Sequence, residues 1–268
     1  MKKTLAVSGA MLLVLGLIGM VYADSATTSV TVGNAAPTVD SVTVDDASPS
    51  AGATTTVDIS AQASDANGWD DISSIVCTVS GPGTVEDSPV TLSLSQLDGD
   101  TVSGSGSFDM DFHDAAGTYT VSCVATDSSS DTGSDSDTFV YSSLTALDLD
   151  ASSVAFGGLG AGDTGNVNGD TDMGTTDHAT IQNLGNTLLD VGMSGTDMTA
   201  AGNNTIAVGN VGYQFASEGF TALTTSAATY DLDLAAAALS VNKIDFQISV
   251  PVGTLPGSYS GTVDVVAA

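Results

Sequence analysis

The stretch that decides the fold is Gly117–Asp127, GTYTVSCVATD. Apolar residues occupy every second position from Tyr119 to Ala125, and threonine or serine fills most positions between them. This period of two predicts a half-buried β-strand. Ile72–Val79 alternates in the same way and carries Cys77, the partner candidate for Cys123. Two strands that each place one cysteine on the apolar face predict a buried disulfide across a β-sandwich.

The composition favours an all-β protein built from many short strands. The chain has 268 residues, enough for two ordinary domains. Glycine, serine, threonine and aspartate separate short apolar runs, which is typical of sandwiches and barrels. Aromatic residues make up 5% of the chain, so we expect cores of valine, isoleucine, leucine and alanine.

The charge is strongly one-sided, with 32 acidic and 3 basic residues and a net charge of -29. Lys2 and Lys3 lie at the extreme N-terminus, so Lys243 is the single base in the rest of the chain. Such a surface repels phosphate backbones and anionic lipids, which argues against nucleic-acid binding. It favours cations, either as an adaptation to high salt in a halophilic host or as specific calcium binding.

The first 23 residues predict a signal peptide. Lys2 and Lys3 precede an apolar run, and Val21-Tyr22-Ala23 fits a cleavage site of small residues. The alternative is an uncleaved N-terminal anchor, because Leu5–Ala23 could nearly span a bilayer. Either reading predicts an extracellular or cell-surface location. The remaining sequence has no second long apolar run, so we expect no transmembrane segment after cleavage.

We expect two tandem immunoglobulin-like β-sandwich domains after a short tail or linker at residues 24–36. The first covers residues 37–142 and the second residues 143–268. Within the first, the Ser/Asp run at residues 127–137 predicts a flexible hairpin tip. Within the second, residues 157–178 predict a long acidic, glycine-rich loop that follows a short strand at Val154–Phe156.

Three segments of the first module together resemble the Ig-like and PKD-like modules of archaeal and bacterial surface proteins: PTVDSVTVDDASPSAG, DANGWDDI and AGTYTVSCVATD. Gly117–Val121 and the trailing Asp127 carry most of this resemblance, which implies fold rather than chemistry. Tyr119 precedes Cys123 by four residues, whereas the tyrosine-corner residue of antibody-type domains precedes the cysteine by two. Cys77 also falls on the third predicted strand, so the disulfide would then join neighbours within one sheet.

In the second module, ATIQNLGNTLLDVGMSGTDM and VPVGTLPGSYSGTVDV are similar to β-sandwich modules near the ends of archaeal secreted surface proteins. This similarity implies architecture and location, and it covers residues 147–268.

The first candidate metal site is the loop from Asn166 to Asp177. Its oxygen-bearing side chains fall at positions 1, 3, 5, 7 and 12, which is the spacing of an EF-hand calcium loop, and the stretch resembles the calcium loop of dockerin modules. Position 6 holds Thr171 where the sharp turn needs glycine, and no flanking helices are evident. The alternative is a solvated loop. The proposed ligands are Asn166, Asn168, Asp170, Asp172 and Asp177.

The second candidate metal site is the tight turn that follows the second strand. Several carboxylate and amide oxygens meet there, and Ca²⁺ is bound by such oxygens. The alternative is an ordinary Asx-Gly turn with charged flanks. Trp69, the single tryptophan, is expected to fill the core, and the alternative is an exposed contact residue. The proposed ligands are Asp65, Asn67, Asp70 and Asp71.

We find no catalytic motif in this sequence. The two histidines form no H-E-x-x-H motif, and no G-x-S-x-G elbow occurs, so we expect a protein that is not an enzyme. Asn203-Asn204-Thr205 is a sequon for N-glycosylation at Asn203.

The resulting hypothesis is a structural component of a surface layer, appendage or matrix, with self-association or other surface proteins and glycans as partners. The alternative is an adhesion or binding module that recognises glycans or partner proteins. Calcium is the one cofactor considered.

Overall fold

The computed structural model describes residues 27–215 and 219–268. The predicted signal peptide lies outside the described residues. Internal contacts divide the chain into two units, Met1–Gly33 and Asn34–Ala268, so the further division of the second unit into two domains stays a prediction. In the first unit, residues 27–33 form no helix or strand. No helix in the described ranges is long and apolar enough to cross a membrane.

The first half of the second unit contains two four-stranded antiparallel sheets. The sheet orders are β1-β2-β6-β5 and β4-β3-β7-β8, which match the ABED and CFG sheets of an immunoglobulin-like sandwich. A short 3-10 helix, Trp69–Asp71, leads into β3. The strands are β1 (Thr38–Val44), β2 (Thr55–Ser64), β3 (Ile72–Ser80), β4 (Val90–Thr91), β5 (Ser93–Gln96), β6 (Thr101–Met110), β7 (Gly117–Asp127) and β8 (Thr132–Tyr141).

These two sheets enclose one cluster of buried side chains. The rings of Phe108 on β6 and Phe139 on β8 come from different sheets and lie 5.7 Å apart, so the sheets pack face to face. Tyr119 stacks on Phe139 at 5.3 Å. The alternation of β7 therefore has the predicted effect, because Tyr119, Val121, Cys123 and Ala125 lie in this cluster while Val124, on the other face, is exposed.

Cys77 and Cys123 form the predicted disulfide and are both fully buried. They lie directly opposite each other on β3 and β7, with their Cα atoms 4.0 Å apart. The disulfide therefore joins two neighbouring strands of one sheet. The expectation of a bridge across the sandwich is wrong and the alternative of a bridge within one sheet is confirmed, because β3 and β7 are paired in the same antiparallel ladder.

The second half of this unit consists of short antiparallel strands in three small sheets and one hairpin. The sheet orders are β10-β19-β15-β16, β18-β11-β9 and β17-β12-β20, and β13 pairs with β14. The strands are β9 (Leu147–Leu149), β10 (Thr164–Val167), β11 (Thr180–Asn183), β12 (Leu189–Gly195), β13 (Met198–Ala200), β14 (Asn204–Ile206), β15 (Val211–Gln214), β16 (Thr221–Ala222), β17 (Ala228–Leu234), β18 (Val241–Lys243), β19 (Asp245–Ser249) and β20 (Val263–Ala267). A second 3-10 helix spans Val208–Asn210.

A second cluster of buried side chains lies between these small sheets. A smaller share of its hydrophobic side chains is fully buried than in the first cluster. Among the described residues it has 12 buried members and 15 hydrophobic neighbours that are only partly buried. The first cluster has 21 buried members and four such neighbours. The second half of the unit therefore leaves much more apolar surface open to solvent.

Three local expectations differ from the structure. Residues 132–137 belong to β8 instead of a flexible tip, because their serine and aspartate side chains point mostly to solvent while the backbone pairs with β7. Val154–Phe156 forms no strand, whereas Thr164–Val167, inside the predicted loop, pairs with β19. Trp69 is 37% exposed on its 3-10 helix, so it does not fill the core.

Candidate functional site

Three carboxylates converge at one end of the first sandwich. Asp65 follows the last residue of β2, Asp71 ends the 3-10 helix, and Asp127 is the last residue of β7. One carboxylate oxygen from each lies within 4.8 Å of the other two. The strand ends bring them together, since β2, β3 and β7 all begin or end here.

Asp65 is the most enclosed member of this cluster. Its residue is 2% exposed. Its Oδ1 atom accepts a 2.7 Å hydrogen bond from the backbone N–H of Asn67, whereas its buried Oδ2 atom has no hydrogen-bond partner. A buried carboxylate oxygen without a partner is costly, because it loses its hydration and gains nothing in return.

Asp127 is also 2% exposed and organises the turn between β7 and β8. Its Oδ1 atom accepts backbone N–H bonds from Ser129 and Asp131 at 2.9 and 2.8 Å. Its Oδ2 atom accepts a 2.8 Å bond from the side-chain amide of Asn34. The Asn34 hydrogen bond is the main cause that lowers the pKa of Asp127, with the backbone bonds adding to it, so this carboxyl stays ionised.

Asp71 joins the two connections at this end of the sandwich. Its side chain accepts a hydrogen bond from the Ser128 hydroxyl, and its backbone carbonyl accepts one from the Ser128 N–H at 2.8 Å. The β2–β3 connection and the β7–β8 turn are therefore fastened to each other at the carboxylate cluster.

The structure thus brings together only some of the residues of the second predicted metal site. Asp65 and Asp71 lie in the cluster, whereas Asp70 is exposed and outside it. The Asn67 side chain instead accepts a 2.7 Å hydrogen bond from the backbone N–H of Ala35. Sequence reasoning missed Asp127 as a site residue, although its position at the end of the strongest strand pattern was a usable signal.

The residues of the first predicted metal site are not gathered in the same way. Asn166 lies in β10, and its side-chain oxygen accepts a 3.0 Å bond from Gln247. Asp170 and Asp172 accept backbone N–H bonds within their own loop, at 2.8 and 2.9 Å. His178 Nδ1 contacts the Asn168 carbonyl at 2.7 Å, and this contact raises the pKa of the histidine. Asp177 joins no acidic cluster among the described residues, and calcium binding here stays a prediction.

A second acidic cluster consists of Asp190, Asp231 and Asp233 near β12 and β17. Asp231 and Asp233 are exposed, and the Asp190 Oδ1 atom accepts backbone N–H bonds from Leu232 and Asp233. Its carboxylate oxygens also lie within 4.8 Å of one another, but two of its three residues are exposed to solvent. The predicted glycosylation residue Asn203 is exposed in the turn between β13 and β14.

An apolar groove lies on the second cluster. A cavity of about 780 Å³ opens between residues 154–161 and the turn at residues 254–259. A neighbouring cavity of about 400 Å³ shares four of its lining residues. Among the residues that the structure describes, none that lines either cavity is charged. The shared lining residues are Val154, Phe156, Met198 and Tyr259.

No protein-family model matches the sequence, and no curated protein is significantly similar to it. Solved structures show remote likenesses. A chain of the CsuC–CsuE chaperone–tip adhesion subunit complex of Acinetobacter baumannii is 12% identical, with 85% of this chain and 99% of that chain covered and a TM-score of 0.34. A carbohydrate-binding module of the β-sandwich superfamily is 13% identical, with 87% and 97% covered and a TM-score of 0.28.

The chain spans only part of other similar proteins. It covers 50% of the secreted serine protease VesC of Vibrio cholerae, with 85% of this chain aligned, 12% identity and a TM-score of 0.24. With identities of at most 13% and TM-scores of at most 0.34, these likenesses carry no functional assignment.

Proposed function

We propose that this chain is a structural protein outside the cytoplasm, a component of a surface layer, appendage or matrix that self-associates. The observation that carries this proposal is the uncharged apolar groove on the second cluster. The buried disulfide supports the location, because disulfides persist in oxidising compartments and are rare in the cytosol.

The charge of the chain argues for this groove as the contact surface. Two copies that each carry a net charge of -29 repel each other over most of their surfaces. A groove without charged lining residues is a place where two such copies can meet without that repulsion. Covering its partly buried hydrophobic side chains would also remove apolar surface from water.

The proposed occupant is the segment Thr27–Gly33 of a second copy. This segment carries no charge, and hydroxyl and apolar side chains alternate within it from Ser29 to Val32. Val30 and Val32 are 86% and 76% exposed, so they are available to fill a groove. An extended segment with alternating valines can add to a β-structure through backbone hydrogen bonds and place every second side chain inward.

A glycan is the alternative occupant of this groove. Sugar recognition relies on a few well-placed polar groups, and the hydroxyls of Thr254, Ser258 and Tyr259 are the polar side-chain groups of this lining. The Tyr259 hydroxyl already donates a hydrogen bond to the Leu255 carbonyl at 2.9 Å. These contacts favour a protein segment over a sugar.

The test is light scattering of the purified protein in high salt, compared with two matched variants. Leu255 lines the groove and is 58% exposed, so Leu255→Asp should add a charge there without unfolding the chain. Leu239, 85% exposed and outside the groove, provides the control Leu239→Asp. We expect wild type and Leu239→Asp to form large particles and Leu255→Asp to stay monomeric.

A Val32→Asp variant tests the proposed occupant in the same assay, and it should also stay monomeric. Particles that form equally well with Leu255→Asp would remove the groove from the proposal. A wild-type protein that stays monomeric at every salt and protein concentration would contradict self-association and favour the binding-module alternative.

A further inference from the structure

We propose that Asp65, Asp71 and Asp127 form a Ca²⁺ site that joins the β2–β3 connection to the β7–β8 turn. This inference rests on the first sandwich alone and does not depend on self-association. Its basis is the convergence of three carboxylates, whose oxygens lie within 4.8 Å of one another, at a position where two of the three residues are buried.

The first step is the electrostatic balance of the cluster. Like charges at this separation repel, and burial strengthens the repulsion because it lowers the local dielectric constant. Among the described residues Lys243 is the single lysine or arginine, and its ammonium binds Asp245 at 2.8 Å instead of this cluster. A bound cation would supply the counter-charge that these residues do not.

The second step is the buried oxygen of Asp65. Its Oδ2 atom has no hydrogen-bond partner although the residue is 2% exposed, and the same carboxylate belongs to the cluster. The oxygens of Asp127 are engaged by backbone and Asn34 donors, which hold that carboxylate in place. The cluster thus combines a carboxylate that several donors hold in place with one whose buried Oδ2 atom has no hydrogen-bond partner.

The third step is the choice of ion. All three ligands are hard carboxylate oxygens, and the described residues place no histidine or cysteine in the cluster. Such donors suit Ca²⁺, which accepts six to eight oxygens in a flexible geometry, whereas zinc prefers nitrogen and sulfur. Backbone carbonyls of the two connections and water can complete the coordination shell. Asn34 would then be fastened next to the ion through Asp127.

The experiment uses the complete protein in about 1 M KCl, where a Debye length of roughly 3 Å suppresses diffuse cation binding. Thermal unfolding is followed in chelator and in Ca²⁺. A Ca²⁺ concentration about 100 times the dissociation constant should raise the ratio of folded to unfolded protein roughly 100-fold. Asp65→Asn and Asp71→Asn should each weaken Ca²⁺ binding about tenfold or more.

A matched control and a second probe keep the test specific. Asp231→Asn removes one carboxylate from the exposed cluster and should leave the Ca²⁺ response of the wild type unchanged. Trp69, the single tryptophan, lies two residues before Asp71, so it should sensitise the luminescence of Tb³⁺ bound in place of Ca²⁺. The Tb³⁺ signal should be lost in Asp65→Asn and retained in Asp231→Asn.

The direction in which Asp65→Asn changes the unfolding temperature distinguishes a metal site from a carboxylate that only stabilises the fold. In chelator this variant should unfold at or above the wild-type temperature, because it removes an uncompensated buried charge. In Ca²⁺ it should unfold below the wild type. A wild-type protein that shows no Ca²⁺-dependent shift, or equal Tb³⁺ signals from Asp65→Asn and wild type, would overturn the proposal. So would a chelated Asp65→Asn far less stable than the chelated wild type.

Discussion

The phenolic hydroxyl of Tyr119 donates a 2.8 Å hydrogen bond to the backbone carbonyl of Ala115, four residues earlier. Tyr259 makes the same contact with the carbonyl of Leu255 at 2.9 Å. Each tyrosine stands two residues after a glycine, Gly117 in the first case and Gly257 in the second. This is the hydrogen bond of a tyrosine corner, and it forms although Tyr119 lies four residues before Cys123 instead of two.

Removal of the hydroxyl should lower the free energy of unfolding by different amounts at the two tyrosines. Tyr119 is fully buried, so Tyr119→Phe leaves the Ala115 carbonyl without its partner and should lower the free energy of unfolding by about 1 kcal/mol. The Tyr259 bond is exposed, and water can replace it, so Tyr259→Phe should cost less. Urea unfolding of both variants measures the difference, and equal losses would contradict this account.

Gly81 is required by the ring of Tyr119. A Cβ atom added at Gly81 would overlap that ring, which is buried and stacked on Phe139. Gly81→Ala should therefore destabilise the fold by about 1–3 kcal/mol through overpacking. Gly99→Ala is the control, because nothing lies within 4 Å of its added Cβ. Thermal unfolding of the two variants should separate them, and matching melting temperatures would show that the ring moves aside freely.

Removal of the disulfide should lower the free energy of unfolding. The bridge closes a loop with a sequence separation of 46, and the chain-entropy model gives a contribution of about 4 kcal/mol for such a loop. The double variant Cys77→Ala/Cys123→Ala should lose approximately this amount in urea unfolding. Wild-type protein unfolded in a reductant should match the double variant, whereas an unchanged midpoint in either sample would argue against the bridge.

Alkaline pH should destabilise the protein through Tyr141. Burial raises the pKa of its phenol from 10.0 to about 12, and the hydroxyl donates a 3.0 Å bond to the Asp111 carbonyl. Between these two values the unfolded chain releases this proton and the folded chain keeps it, so stability falls as pH rises. Below about pH 10 this group adds no pH dependence. Tyr141→Phe should reduce the slope of stability against pH in this window, and an unaltered slope would contradict the assignment.

Salt should stabilise the protein through screening of its acidic surface. The net charge of -29 makes the folded chain repel itself, and raising KCl from about 0.1 to 1 M shortens the Debye length from roughly 10 to 3 Å. The melting temperature should rise over this range in the presence of a chelator. A flat response would mean that the acidic residues do not limit stability, which would weaken the case for adaptation to high salt.

Local patterns in the sequence predicted most of the first sandwich. In Thr38–Val44 the position of Val39, out of phase with Val42 and Val44, corresponds to the register shift between Val39 and Ser41 in the pairing of β1 with β2. The strand at residues 132–137 was missed, because an exposed sheet face can be built from serine and aspartate without an apolar signal. Short strands in the second half, such as β10, were hidden for the same reason within a glycine-rich stretch.

The sequence by itself determined the all-β class, the alternation of β7 and the pairing of the two cysteines. These follow from local periodicity and from the number of cysteines, neither of which depends on how strands are arranged. Tertiary structure decided that the disulfide joins neighbouring strands of one sheet instead of crossing the sandwich, a choice that the sequence left open, and it alone decided that Asp127 meets Asp65 and Asp71. The physical reason is that such contacts depend on which strands pair and where they end, and residues 46 or more positions apart carry no shared local pattern that reveals the pairing.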